Sequence, residues 1–466
     1  MTYKDIVYIV TEYRQSTDTS TKYRHKCTNR DLVNLEVLSL ACCGIRKLPS
    51  TIGNLRKLKL LDLTECADLH IDDGVFINLV KLEELYMRGD YKKGICFTDA
   101  NLEELKMLSC QLCALELFLW DDEHRSDLVD YKIDELVKKS ESLCLRMKHM
   151  SHLEDFVPVN PSDQSFFLYL RDFEVDDCDK LKYLFPIHVT RGLRKLERLT
   201  IWSCYDLEAV VHDYNGEING KGEMIIFEEL KYLCLGCLPK LVRLFPVDSV
   251  VELPQLVELK VNELPRITSI YPDNKNTSAL QQALFNSQVR TSELKKVVIK
   301  SMKNLERIWP SSSEEEFDNI PMLRDIEVET CHKLENLFPT NPMRLLKHLE
   351  QITISKCYSV REIFNIDLEC FGEVEQVINI SLRYICVRRF NEEECHVWSI
   401  KGGERNSSFH DFDTTGWVRK ENVRYETRYE KTSHQPSPNS IRLRRGRGTI
   451  EWSSRGGHAL ERKTLR

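Results

Sequence analysis

The feature that most constrains this chain is a line of leucines that occurs twice in succession between residues 32 and 69. Leu38 and Leu40 recur as Leu61 and Leu63, so the two copies lie 23 residues apart. An L-x-L pair alternates like a short β-strand with one buried face. One such unit cannot bury its leucines alone, so it requires further copies stacked on either side.

Further copies follow along the chain at intervals of 23 to 38 residues. The first residue of each apolar pair, hereafter the anchor, occurs at thirteen positions: Leu38, Leu61, Leu85, Leu115, Leu143, Phe173, Leu199, Leu233, Leu259, Val297, Ile326, Ile352 and Ile385. The first interval falls within the roughly 20–29-residue period of leucine-rich repeats. We therefore predict an α/β solenoid, a leucine-rich-repeat horseshoe with a concave parallel β-sheet, an irregular convex side and a disordered basic tail.

Two further columns of residues recur at fixed distances from the anchors. Five positions after the anchor the chain repeats an apolar residue, and six of the 17 cysteines lie there: Cys43, Cys66, Cys178, Cys204, Cys331 and Cys357. Twelve positions after the anchor, seven successive repeats hold Phe185, Val211, Phe245, Tyr271, Trp309, Phe338 and Phe364, and six of these seven residues are aromatic. We interpret the cysteines as small buried hydrophobes, and the aromatic residues as a spine on the side away from the strands.

The pattern predicts three segments. Residues 1–30 are an extension without a repeat signature, residues 31–390 form the solenoid of about 13 repeats, and residues 391–466 are a basic tail. Residues 401–466 hold 15 Lys and Arg against 8 Asp and Glu, although the whole chain has a net charge of −7. With few large aliphatic residues the tail is predicted to be disordered. Its RLRRGRG run at 442–448 could contact nucleic-acid phosphates, but because it lacks interleaved aromatic residues we favour a solvated tail.

The sequence lacks the motifs of catalysis and of phosphate binding, among them G-x-x-x-x-G-K-[ST], G-x-S-x-G and H-E-x-x-H. Cys110/Cys113 and Cys234/Cys237 have the spacing of a zinc half-site or a redox pair, but their repeats lie too far apart to share one ion. We predict no enzymatic activity, cofactor or metal. Reduced thiols without a secretory signal indicate a reducing, intracellular compartment, and no apolar run approaches the roughly 18 residues of a membrane span.

The amino-acid sequence of the repeats resembles that of a known family. LEVLSLACCGIRKLPSTIGNLRKLKLLDLTEC and the later phrases CDKLKYLFP, LPKLVRLFP and CHKLENLFP are similar to the leucine-rich-repeat region of plant intracellular nucleotide-binding disease-resistance proteins of the coiled-coil class. The resemblance covers about residues 31–370. It implies a cytoplasmic protein-binding domain of plant innate immunity that recognises a pathogen effector or a guarded host protein. It also implies packing on a nucleotide-binding domain, which would here be supplied in trans.

Two alternatives to a recognition domain stay open. Substrate adaptors of ubiquitin ligases also use leucine-rich repeats, but they need an F-box-like helical segment that residues 1–30 are too short and too polar to supply. The other alternative is a nonfunctional, truncated product of a resistance gene, because the tail matches nothing in the family.

The strand residues that flank each anchor are the candidate binding residues. They are predicted to point into the concavity, because neighbours on a strand alternate between the two faces. The candidates are Arg198, Thr200, Trp202, Tyr232, Glu258, Lys260, Lys296 and Lys300. Exposed Trp202 and Tyr232 beside Arg198 have the composition of protein-binding hot spots.

The same face has a simpler interpretation, in which its side chains only cover the sheet and pair with one another. Lys296 with Asp325, and Lys300 with Glu329, are the pairs that adjacent parallel strands would bring together. Each exposed pair would stabilise the fold by less than about 1 kcal/mol. The sequence leaves both interpretations open.

Overall fold

The computed structural model describes most of the repeat region. It covers residues 34–87 except 43–44 and 67–68, 98–120 except 109–110, 142–148, 167–270 except 213–223, 247–248 and 268, 283–309 except 286–290 and 292, 322–338, 342 and 347–367. Beyond these it describes only the strands at 376–380, 384–388, 396–401, 407–408, 419–421, 424–426, 439–444 and 449–453. The chain divides into two compact units, Met1–Tyr205 and Asp206–Arg466.

The first unit contains ten described strands, one α-helix and two 3₁₀ segments. The strands are β1 (Val37–Ser39), β2 (Lys47–Leu48), β3 (Leu60–Asp62), β4 (His70–Ile71), β5 (Glu84–Tyr86), β6 (Ala114–Trp120), β7 (Ser142–Lys148), β8 (Leu170–Asp176), β9 (Tyr183–Pro186) and β10 (Arg198–Trp202). The helix is α1 (Asp99–Leu108), and the 3₁₀ segments are Ser50–Asn54 and Ile187–Lys195. Strands β1, β3, β5, β6, β7, β8 and β10 form a parallel sheet in this order, and β2 pairs with β4.

The second unit continues the same pattern of short strands. They are β11 (Ala209–His212), β12 (Met224–Ile226), β13 (Tyr232–Gly236), β14 (Val250–Glu252), β15 (Glu258–Asn262), β16 (Lys296–Lys300), β17 (Asp325–Glu329), β18 (Gln351–Ser355), β19 (Glu362–Asp367), β20 (Gln376–Ile380), β21 (Tyr384–Arg388), β22 (His396–Lys401), β23 (Ser407–Ser408), β24 (Arg419–Glu421), β25 (Arg424–Glu426), β26 (Asn439–Arg444) and β27 (Thr449–Ser453). Strands β13, β15, β16, β17, β18 and β21 form a parallel sheet in this order.

The anchors pair with one another as the repeat predicts. In the first unit Leu38, Leu61, Leu85, Leu115 and Leu143 are Cα partners in succession, as are Phe173 and Leu199. In the second unit the same holds for Leu233, Leu259, Val297, Ile326, Ile352 and Ile385. The anchors whose burial is described are at most 2% exposed. Burial of one such side chain stabilises a fold by about 1.5–3 kcal/mol. The parallel stacking of the buried anchors confirms the prediction of a leucine-rich-repeat solenoid.

The predicted register is wrong at one step, between β7 and β8. The sequence aligns Leu143 with Phe173, but the Cα partner of Phe173 is Leu145, because the ladder shifts between Leu143 and Cys144. A local irregularity of this kind accommodates an extra residue in one strand of a ladder. The repeat therefore slips by two residues at this step, and because the slip is an even number of residues the alternation of the two faces is preserved.

A sharp corner follows nine of the described strands in the two parallel sheets. Nine residues four positions after an anchor have a left-handed backbone with φ between 52° and 59°, and none is glycine: Cys42, Glu65, Asp177, Ser203, Cys237, Glu263, Ser301, Thr330 and Lys356. Their N–H groups extend the ladder by one rung, as where Thr330 N–H donates to Ser355 O at 2.9 Å and Cys237 N–H donates to Asn262 O at 3.0 Å. Non-glycine residues seldom adopt this conformation, so the corner is a feature that the leucine pattern alone does not show.

The residue after this corner carries the predicted apolar column. Cys66, Cys178, Cys204, Leu238, Leu264, Met302, Cys331 and Cys357 are at most 1% exposed. Four of the thiols donate to the carbonyl oxygen two residues earlier, as in Cys204 Sγ to Trp202 O at 3.3 Å and Cys357 Sγ to Ser355 O at 3.3 Å. Cysteine thus fills the small space inside the corner, and its thiol is a second donor to a carbonyl that, at Trp202 and Ser355, already accepts the N–H of the neighbouring corner.

The aromatic column is buried, and in the second unit it forms a stack. Trp309 stacks on Phe338 with ring centroids 6.3 Å apart, and Phe338 stacks on Phe364 at 5.4 Å. On the other side of Trp309 lies Phe285, at 5.0 Å. The sequence assigns the preceding position of the column to Tyr271, which lies outside the described residues.

The three-segment division stays a prediction. Both proposed boundaries, at residues 30–31 and 390–391, fall outside the described residues. Within 391–466 the structure describes six short strands, of which β22 pairs in parallel with β19 and β26 pairs antiparallel with β20. The rest of that segment lies outside the description, so the predicted disorder of the tail is not tested as a whole.

Candidate protein-binding surface

The face of each parallel sheet opposite the anchors, hereafter the sheet face, carries the candidate binding residues. Along β10, β15 and β17 each buried residue alternates with a half-buried or exposed one. This alternation follows from the pleat of a strand with one packed face. On these three strands the flanking side chains therefore lie on the face opposite the anchors.

Arg198, Thr200 and Trp202 share the sheet face of β10 in the first unit. Arg198 is exposed, whereas Thr200 and Trp202 are half-buried. Arg198 Nε lies 3.7 Å from Asp172 Oδ2 on the neighbouring strand. The prediction of an exposed Trp202 is thus only partly right, because neighbouring parallel strands lie only about 4.8 Å apart and cover part of a large ring.

In the second unit, Tyr232 on β13 and Lys260 on β15 form a polar contact between adjacent strands. Lys260 Nζ donates to Tyr232 Oη at 3.2 Å and lies 5.0 Å from the centroid of its ring. Tyr232 is half-buried rather than exposed, and this burial raises the pKa of its hydroxyl. A cation held against an aromatic ring in this way is stabilised by both contacts.

Glu258 sits between two lysines. Its Oε1 lies 3.1 Å from Lys260 Nζ and 3.4 Å from Lys296 Nζ. Burial lowers the pKa of Lys260, but the hydrogen bonds with Glu258 and Tyr232 outweigh it, so the pKa is raised overall. We call Tyr232, Glu258, Lys260 and Lys296 the Tyr–Lys cluster.

The predicted pair of Lys296 with Asp325 is not the contact that forms among the described residues. The two are Cα partners on adjacent strands, but Lys296 reaches the carboxylate of Glu258 on its other side. Burial raises the pKa of Asp325, while the nearby charge of Lys296 acts in the opposite direction. Two carboxylates compete for one ammonium group, and side-chain geometry rather than strand register decides between them.

The predicted pair of Lys300 with Glu329 does form, within a larger group. Lys300 Nζ lies 2.7 Å from Glu327 Oε1 and 3.6 Å from Glu329 Oε2. Lys356 Nζ lies 2.8 Å from Glu329 Oε1, and this hydrogen bond lowers the pKa of Glu329. The charges on β16 and β17 therefore compensate one another across the strands.

Two flanking residues that the sequence assigns to the open face are buried. Cys234 and Val298 are each 6% exposed. Lys260 is the Cα partner of both, so it lies between them on the sheet face. The aliphatic stem of a lysine covers apolar neighbours while its ammonium group stays polar, which accounts for their burial.

The eight candidate residues are divided between the two units. Arg198, Thr200 and Trp202 belong to the first unit, whereas Tyr232, Glu258, Lys260, Lys296 and Lys300 belong to the second. Within the second unit the structure brings the four residues of the Tyr–Lys cluster together. A single footprint that joins Trp202 to Tyr232 stays a prediction.

The cysteine pairs and the titratable groups give no metal centre in the part of the chain that the structure describes. Cys110 lies outside that part, Cys234 is buried, and Cys237 Sγ contacts Glu263 Oε2 at 3.6 Å. None of the described helices is long and apolar enough to cross a membrane.

The solved structures that match this chain share little sequence with it. They include an LRR protein of Leptospira interrogans (16% identity, 78% of this chain and 76% of that chain, TM-score 0.37), TLR13 in its complex with ssRNA13 (18%, 78% and 49%, 0.38) and the plant peptide hormone receptor RGFR1 in complex with RGF2 (14%, 79% and 71%, 0.22). No curated protein matches the chain significantly.

A family model gives the assignment. The model for plant disease resistance protein RPS2-like leucine-rich repeats matches residues 96–205, 214–358 and 318–413. These ranges span most of the chain and contain the candidate residues of both units. The protein belongs to the family of plant disease resistance protein RPS2-like leucine-rich repeats.

Proposed function

We propose that this chain is a non-catalytic, protein-binding repeat domain, the recognition part of a plant disease-resistance protein that acts in defence in the cytoplasm. The family match supports the class of protein. The Tyr–Lys cluster is the observation that carries the binding role, because it places an aromatic ring and two cations on a sheet face that the core does not use.

The Tyr–Lys cluster is organised before any partner arrives. Lys260 is held by Tyr232 and Glu258, and Glu258 in turn holds Lys296. Fixing these side chains in advance lowers the entropy lost on association. Tyrosine in such a setting supplies a large contact area together with a hydrogen-bonding group, which is the chemistry of a protein–protein hot spot.

The same electrostatics argue against acid–base catalysis at this face. A general base must lose its proton near neutral pH, whereas the pKa values of Lys260 and Tyr232 are both raised. Both groups therefore stay protonated and act as hydrogen-bond donors. The cluster is suited to binding, not to proton transfer.

The partner that fits the family is a pathogen effector or a guarded host protein. A nucleotide-binding domain supplied in trans is a second partner of the same repeats. Capture of ubiquitin-ligase subunits would instead indicate the adaptor role, and capture of no specific protein would indicate a nonfunctional product.

The test is affinity capture from healthy and infected plant tissue, with mass spectrometry of the bound proteins. Tyr232→Ala and Trp202→Ala are compared with Val242→Ala, an exposed apolar residue outside the sheet-face strands. Truncating a hot-spot aromatic weakens binding by about 2 kcal/mol or more, roughly 30-fold. We expect this loss for at least one aromatic variant at unchanged melting temperature, and no loss for Val242→Ala. Loss of binding only in the Val242 variant would show that the binding site is not on the sheet face.

A further inference from the structure

Two pairs of buried cysteines occupy equivalent places in adjacent repeats. Cys178 and Cys204 follow β8 and β10 in the first unit, and Cys331 and Cys357 follow β17 and β18 in the second. All four are free thiols and are 0% exposed. In each pair the neighbouring thiol contributes to raising a pKa: Cys178 acts on Cys204, and Cys357 acts on Cys331.

The backbone brings Cys331 and Cys357 within reach of a covalent link. Glu329 and Ser355, two residues before them, are Cα partners in the parallel ladder. Thr330 and Lys356 then turn the chain with φ of 58° and 55°, so the two corners have the same shape. Parallel neighbours lie about 4.8 Å apart, inside the range of roughly 4.4–6.8 Å between the Cα atoms of a disulfide.

The surroundings of Cys357 Sγ distinguish this pair from the other one. Cys331 N–H donates to Cys357 Sγ at 3.4 Å. The Cys331 thiol and the N–H groups of Cys331 and Thr330 hold the pKa of Cys357 below its ordinary value, although burial opposes them. In the other pair, the neighbouring Cys178 thiol and burial raise the pKa of Cys204.

We propose that Cys331 and Cys357 form a reversible inter-repeat disulfide when the protein meets a peroxide. The Cys357 thiolate attacks one peroxide oxygen, the O–O bond breaks, and Cys357 becomes a sulfenic acid while the other oxygen leaves as water. The Cys331 sulfur then attacks the Cys357 sulfur and loses its proton to the departing hydroxide. Two thiols and one hydrogen peroxide thus give one disulfide and two waters.

The link is expected to be easily reduced. The side chains of parallel neighbours start about 4.8 Å apart, whereas the Cβ atoms of a disulfide lie about 3.5–4.5 Å apart, so the corners must draw together. A strained disulfide has a more oxidising potential and is reduced readily. This behaviour fits a reducing compartment, where disulfides are transient.

The link also acts on the sheet face. Cys331 Sγ donates to Glu329 O at 3.5 Å, and Lys356 directly precedes Cys357. Glu329 and Lys356 form the ion pair at 2.8 Å on that face. Oxidation removes the thiol donor behind Glu329 and moves both corners, so it changes the charged surface at β17 and β18.

Peptide mapping of the full native chain tests this inference. The reduced protein is exposed to graded hydrogen peroxide, alkylated and digested with trypsin, which separates every cysteine concerned: Cys331 on 325–333, Cys357 on 357–361, Cys178 on 172–180 and Cys204 on 199–221. We expect the 325–333/357–361 link to form about tenfold or more faster than the 172–180/199–221 link, because the thiolate is the nucleophile. Dithiothreitol should remove it.

Cys331→Ser gives the matched variant. Without the second sulfur, the Cys357 sulfenic acid should persist and react with a dimedone reagent, at an unchanged circular dichroism spectrum. If this variant fails to fold, the comparison of the two links in the wild-type protein still tests the proposal. Equal rates for the two pairs, a link seen only in denaturant, or oxidation confined to the exposed Cys42 and Cys113 would overturn the proposal.

Discussion

The two units share one strand pattern but fill the side away from the strands with different chemistry. In the second unit that side is a stack of aromatic rings, with Phe285, Trp309, Phe338 and Phe364 in contact. In the first unit, α1 occupies the 30-residue interval between Leu85 and Leu115, and a buried carboxylate joins it to the preceding repeat.

That carboxylate belongs to Glu104, which is 8% exposed. It accepts hydrogen bonds from the backbone N–H groups of Gly74, Phe76 (2.9 Å) and Ile77 (3.3 Å). The start of α1 is fixed by a reciprocal pair, since Asn101 N–H donates to Thr98 Oγ1 and Thr98 N–H donates to Asn101 Oδ1. This polar clamp requires particular atoms at particular places.

The aromatic stack depends less than the polar clamp on where its residues lie in the sequence. Phe285 lies in the longest interval between anchors, yet its ring stacks on Trp309 with an angle of 11° between the planes. Any planar apolar side chain that reaches this place extends the stack. The comparison indicates that strands set the repeat, while the opposite side tolerates helices, insertions and different packing.

The largest effect is expected where the two units are alike, at an anchor. Leu199→Asp removes about 1.5–3 kcal/mol of burial and adds the cost of an unpaired buried carboxylate, so we expect a loss of more than about 4 kcal/mol and unfolding of neighbouring repeats. Thr200→Asp, on the opposite face of the same strand, is the control. Equal melting temperatures for the two variants would contradict the register.

Phe338→Ala interrupts the aromatic stack between Trp309 and Phe364. Truncating a buried phenylalanine costs about 3–5 kcal/mol, and the loss should appear in hydrogen exchange of the second unit first. Tyr358→Ala, at a ring that is 49% exposed, should change urea denaturation far less. A loss below about 1 kcal/mol for Phe338→Ala would mean that the stack is not a structural core.

Glu104→Ala opens the polar clamp of the first unit. Three backbone donors lose a charged acceptor, and hydrogen bonds to charged groups contribute about 1.5–3 kcal/mol, so we expect a loss of about 2–3 kcal/mol and faster amide exchange in residues 69–82. The adjacent Glu103→Ala breaks only the surface pair with Lys106 at 2.6 Å and should cost less than about 1 kcal/mol. Similar losses of stability in both variants would mean that the hydrogen bonds of Glu104 stabilise the first unit no more than a surface ion pair does.

The sequence predicts those parts of the fold that repeat. The anchors, the cysteine column and much of the aromatic column follow from burial at fixed spacing, which is visible in one chain. The slip at β7 is not visible, because Leu143 and Leu145 in the segment SLCLRMK fit the anchor equally well. Glu104 is equally hidden, since its partners lie 27 to 30 residues away.

The candidate surface is predicted less completely than the fold. Strand alternation places the eight residues on the sheet face, but it does not choose between Glu258 and Asp325 as the partner of Lys296. Long side chains reach several neighbours of opposite charge, and the differences in energy are small. The half-burial of Tyr232 likewise depends on Lys260, which is 28 residues away.

The smallest expected effect concerns the corners, where both units again agree. Thr330 is β-branched and has a φ of 58°, a conformation that costs an L-residue about 1–2 kcal/mol. Glycine adopts it freely but loses about 0.5–1 kcal/mol through backbone entropy. Thr330→Gly should therefore raise stability by about 0.5–1 kcal/mol while its N–H still donates to Ser355 O.

Thr353→Gly is the matched control, because Thr353 lies within β18 and has no left-handed backbone to relieve. There the same replacement weakens the strand by about 0.5–1 kcal/mol, so the two variants should move the urea midpoint in opposite directions. If both lower it, the left-handed corner at Thr330 is not strained in the folded protein. If the two midpoints move in opposite directions as expected, non-glycine residues at the corners lower the stability of both units. The left-handed corner nevertheless places the next side chain under the strand.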